Sequence, residues 1–137
     1  MNSFTVLEVS ASALDAQRQR MNVIASNMAN VQSTRTEEGG PYKRKDVVFS
    51  AAMLESNPVE LEGVEVVEIA TDNTPPKVVH DPGHPDADKD GFVAMPNINI
   101  IEEMVNMMTA FRAYEASVST FNMTKSMFMK TLELGRQ

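Results

Sequence analysis

The sequence contains no cysteine. That removes disulfides and thiolate chemistry, and it leaves the compartment open. There is no unbroken apolar run of about 18 residues, so no membrane-spanning segment and no direct membrane insertion are expected. The first twenty residues carry Glu8, Asp15, Arg18 and Arg20 with no continuous apolar core, so no cleavable signal peptide is expected. Histidine is scarce. His80 and His84 are four apart, a spacing that suits a metal only on a helix, and Pro82, Gly83 and Pro85 forbid one there. A zinc site would need carboxylates from the same loop, and exposed loop histidines are the simpler reading. Nothing resembles a nucleophile elbow or a phosphate-binding glycine loop, so neither catalysis nor a cofactor is expected. Glu115, a candidate buried acid, reads more simply as a partner of Arg112.

Positive charge is also short: 12 Lys and Arg stand against 19 Asp and Glu, a net charge of −7. Ten acids and two bases fall between Glu55 and Asp90, and the rest of the chain is nearly neutral. The one basic knot, Arg35 with Lys43, Arg44 and Lys45, is too short to offset this, so nucleic acid is not expected as a partner. The near-neutral ends can pack against copies of themselves without strong repulsion.

What the chain does have is helical periodicity at both ends. Over 3–32, Leu7, Leu14, Met21 and Met28 recur every seven residues, and Ile24 and Val31 add a second seam position. Thr5 with Glu8, or Ser3 alone, can cap the start. Over 99–134, Asn99 can cap, Glu102 and Glu103 suit the positive end of the helix dipole, and Gly135 marks the stop. A heptad seam runs through Met104, Met107, Phe111, Tyr114, Val118, Phe121, Phe128 and Leu132, broken only by Lys125, with Met108 on an adjacent row. Between the helices, 44–53, 64–70, 75–82 and 91–95 read as short strands bounded by turns, with loops over 32–41 and 71–91. The expected fold is mainly α with a small β-rich middle: a terminal helical coiled-coil domain of 1–32 with 99–137, and a middle segment of 33–98.

Two such helices bury one stripe each, and the apolar surface is wider than that. Each buried Leu, Phe or Met contributes roughly 1.5–3 kcal/mol, so neighbouring copies are expected to supply the missing cover. A repeating contact that does not close makes a tube or filament. The expected interface is Leu7, Leu14, Met21, Ile24, Asn27, Met28 and Asn30 with Met104, Met107, Met108, Phe111, Tyr114, Val118, Phe121, Phe128 and Leu132. Ala25, Ser26 and Ala29 are small enough for close approach, and Asn27 and Asn30 can bond a neighbour. The alternative for this stretch is the fraying end of a surface helix.

The segment "RMNVIASNMANVQSTRTEEGGPYKRKDVVF" resembles the N-terminal signature of bacterial flagellar rod and hook proteins. The ending "EEMVNMMTAFRAYEASVSTFNMTKSMFMKTLEL" resembles that family's C-terminal helix, and "HPDADKDGFVAMPNINIIEEM" with "TRTEEGGPYKRK" points to its proximal-rod branch. The resemblance implies a structural subunit of the periplasm-crossing rod of the basal body, with terminal helices packed around a central channel and the middle outside them. It implies export by the flagellar type III apparatus. It also implies, as partners, copies of the chain, other rod proteins and the adaptor joining rod to membrane ring. Two rivals remain. One is a soluble adaptor that binds partner helices through its Met-rich helix. The other is a calcium module at "DADKDGFV", where Asp86, Asp88 and Asp90 alternate but position twelve is Asn97, not a bidentate Glu. A solvated acidic turn is the simpler account there, and Asp88→Ala is expected to be nearly silent.

Overall fold

The computed structural model describes residues 3–53 and 62–135. The outermost residues of the expected helical ends, and Glu55 and Glu60 of the acidic middle, lie outside the described residues. The order is α1 (Ser3–Ala29), β1 (Lys45–Met53), β2 (Glu62–Thr71), β3 (Lys77–His80), β4 (Phe92–Met95) and α2 (Ile100–Leu134). The fold is mainly helical with a small middle of antiparallel hairpins, as the periodicities predict.

At 1.5 Å per residue α1 is about 40 Å long and α2 about 52 Å. They pack antiparallel. Asn27 near the end of α1 bonds Glu103 near the start of α2, and the Phe4 and Phe128 rings meet edge-on at 5.3 Å at the opposite end. The last turns of α2 therefore run past the start of α1. The predicted start of α2 is the observed one: the Asn99 side chain accepts from the Ile101 N–H at 3.1 Å. Thr5, by contrast, lies buried inside α1 and caps nothing. α1 ends at Ala29 and not at 32: the Ser26 carbonyl accepts both the backbone N–H and Nδ2 of Asn30, and the next N–H groups, of Val31 and Ser33, turn to the nearer carbonyls of Met28 and Asn30.

The other face of α1 carries the β1–β2 hairpin. Ser12 Oγ accepts from the Val64 N–H at 3.1 Å, and the Arg20 guanidinium sits 6.0 Å from the Phe49 ring centre. Val48 pairs with Glu68 but Phe49 pairs with Val66, so Val67 is an extra residue bulged out of β2. A one-residue slip exchanges the faces of a strand. Val64 and Val66 are thus half-buried before the bulge, while Val67 and Ile69 are exposed at and beyond it. The β3–β4 hairpin buries Val93. Its connection is tied to the loop after α1, where Thr34 and Arg35 reach the Asp86 carboxylate.

Candidate functional site

Three stretches far apart in sequence meet in a buried polar knot. Asn27 is fully buried, and its side chain uses every hydrogen-bonding position it has. Nδ2 donates to the Lys45 carbonyl at 2.7 Å and to Glu103 Oε2 at 2.9 Å. Oδ1 accepts from the Lys45 N–H at 2.9 Å and from the Tyr42 hydroxyl at 3.2 Å. Glu103, also buried, takes the Arg44 guanidinium at 2.8 Å on its other oxygen. Arg44 in turn reaches Asp46 at 3.0 Å. Burial opposes the charge on Arg44, but the hydrogen bonds of Glu103 and then Asp46 outweigh it and hold the guanidinium above its ordinary pKa.

Apolar burial is slight by comparison. Among the described residues, the buried hydrophobic side chains are Ala16, Ile24, Val93 and Ala110. The chain exposes 9838 Å², whereas a compact monomer of its mass exposes about 7,100 Å². Part of that surface is helical and apolar. Ile101, Met104, Val105, Met108 and Phe111 are each more than half exposed and share one face of α2 at three- and four-residue spacing. Met123, Met127, Met129, Leu132 and Leu134 continue the exposed apolar surface to the other end.

The predicted residues divide accordingly. Leu7, Leu14, Met21, Met28, Met107, Tyr114, Val118, Phe121 and Phe128 are half-buried, and Ile24 is buried. Met104, Met108, Phe111 and Leu132 face outward. The seam that meets α1 includes the row Glu103, Ala110, Ser117 and Thr124, small residues after the first, which lets the helices approach closely and leaves several large side chains outside. Ala25, Ser26 and Ala29 are exposed. The expectation that Asn27 reaches a neighbour, or frays, is corrected: its bonding capacity is spent inside the chain. Asn30, half-exposed, donates one N–H to the Ser26 carbonyl and accepts from Ser33 Oγ at 3.0 Å, which leaves one donor and one lone pair.

The buried acid is Glu103, not Glu115. Glu115 and Arg112 are both exposed, and no ion pair joins them. Sequence reading assigned Glu103 only to the helix dipole. The signal it missed is that Glu103 heads the small-residue row. The acidic turn does not gather its carboxylates. Asp88 Oδ1 accepts from the N–H groups of Asp90 at 2.9 Å and Phe92 at 2.8 Å, while Asp86 faces Thr34 and Arg35. Gly91 supplies the turn with φ 80°. His84 accepts the Asp86 N–H, and His80 packs on Phe92. Among the described residues, no three His, Asp or Glu side chains are grouped to hold a metal.

Known proteins give the context. The family model for the flagella basal body rod protein matches residues 7–35. The model for the C-terminal part of flagellar basal body rod FlgEFG proteins matches 89–134. The flagellar basal-body rod protein FlgC of Yersinia enterocolitica is 45% identical over 136 residues, spanning 99% of this chain and 100% of its own. The FlgC protein of Borreliella burgdorferi is 40% identical over 151 residues, spanning 98% of each chain. That of Bacillus subtilis is 39% identical over 150 residues, spanning 99% of this chain and 100% of its own.

Proposed function

We propose, for a chain that belongs to the FlgC family of flagellar basal-body rod proteins, that its terminal helices polymerise it as a subunit of the proximal rod, the drive shaft that transmits torque and encloses the export channel. The chain is a structural component and not an enzyme, and its place is the rod of the basal body. One observation carries the assembly reading: the apolar stripe of α2 from Ile101 to Phe111 lies in water in the single chain. A contiguous exposed apolar patch of this kind marks an interaction site. Side chains interlocked along long helices are close-packed and stiff, so torque passes through them without a moving part.

The proposal extends to the finer points. α1 and α2 form the inner layer, the segment between them lies outside it, and the rod crosses the periplasmic space. Its partners are copies of the chain, other rod proteins, the adaptor at the membrane ring and the export apparatus. Complementation of a deletion strain tests this. The chain carrying Met108→Asp is expected to be made and folded but to leave cells non-motile and basal bodies without a rod. Restored motility would overturn the reading.

A further inference from the structure

The small-residue seam specifies little by itself. Ala110, Ser117 and Thr124 recur every seven residues, so sliding α2 along α1 by one heptad replaces one small side chain with another. The polar knot has no such alternative. Asn27 uses both donors and both lone pairs, Glu103 uses both oxygens, and their partners come from the backbone of Lys45 and the side chains of Tyr42 and Arg44. Any slip of α2 takes the buried Glu103 carboxylate from both its partners and leaves one N–H of Asn27 without an acceptor. Fixing register is the best-attested use of a buried polar group.

We propose that Asn27, Arg44 and Glu103 are a registration clamp. They set the axial stagger of α2 on α1, and through Lys45 they fix the hairpin to the same point. Resting on the rod-subunit reading, the inference adds that assembly depends on this stagger, because it sets where the exposed stripe of α2 stands relative to the rest of the subunit.

The test separates register from stability. A buried ion pair replaced whole by apolar groups of similar volume often keeps the fold stable. The double variant Arg44→Met, Glu103→Met leaves Asn27 on the Lys45 peptide groups and is therefore expected to keep helix content while losing the clamp. The chain has no cysteine, so Asn22→Cys and Glu115→Cys, both exposed, place two spin labels uniquely. Electron–electron distance measurements on the full chain with its native clamp are expected to give one narrow distance. The double variant is expected to give a split distribution whose second component corresponds to an axial slip of about 10 Å, one heptad. Glu103→Gln sets an amide donor against Asn27 Nδ2 and is expected to give a smaller second population. An unchanged narrow distance in the double variant, a broad one with the native clamp, or an unfolded double variant would each overturn the clamp. Displaced distances together with full motility would overturn the link to assembly. Failure of Met108→Asp to block motility would overturn the rod-assembly reading alone.

Discussion

Asn27 binds the backbone of Lys45 on both sides, as a strand neighbour would, and reaches Glu103 and Tyr42 as well. Asn27→Ala strands Glu103 Oε2 and the Lys45 peptide groups, and is expected to cost about 2–4 kcal/mol in urea unfolding. Arg44→Met leaves the Glu103 carboxylate buried beside Asn27 alone and is expected to cost about 3–5 kcal/mol by the same measurement. Asp88 is a smaller case. It accepts two backbone N–H groups in the turn before β4. Asp88→Ala is therefore expected to cost about 1 kcal/mol in urea unfolding, by the value of an ordinary turn or cap bond. Asp72 shows how pH enters. The Thr74 hydroxyl and then the Thr74 N–H hold its carboxyl below the ordinary value of 3.8. Its stabilising bonds are complete above that value and are lost as pH falls through the lower folded-state value. An amide titration of Thr74 is expected to show a midpoint below 3.8; a midpoint at or above it would contradict the bond.

At the scale of elements, the exposed and half-buried positions of α2 make different predictions. Phe121 lines the α1–α2 seam with Leu14 and Tyr114, so Phe121→Asp is expected to loosen the helix pair within one chain, seen as a lower unfolding midpoint. Met108 lies outside that seam, so Met108→Asp is expected to leave the unfolding midpoint within about 0.5 kcal/mol of native stability while blocking assembly. The limits of α2, the Asn99 cap and the four strands were legible because apolar period and turn residues are local signals. The bulge at Val67 was not legible, since it depends on how β2 lies across α1. The helix seam was legible in part: Met107, Tyr114, Val118, Phe121 and Phe128 of the heptad pattern are half-buried, whereas Met104 and Phe111 face outward beside the small row of Ala110, Ser117 and Thr124. Glu103 was hidden because its partners come from residues 27 and 44, and no single-helix pattern contains them.

For the whole molecule the account rests on surface that one chain does not cover. The knot joins the helices, the hairpin braces one side of α1, and the outer face of α2 stays exposed. Methionine oxidation reads that face directly, because a thioether reacts where water reaches it. Met104, Met108, Met123, Met127 and Met129 are expected to oxidise readily in the isolated chain and to be protected at least about tenfold in purified basal bodies. Equal oxidation of these methionines in the isolated and assembled states would contradict the account.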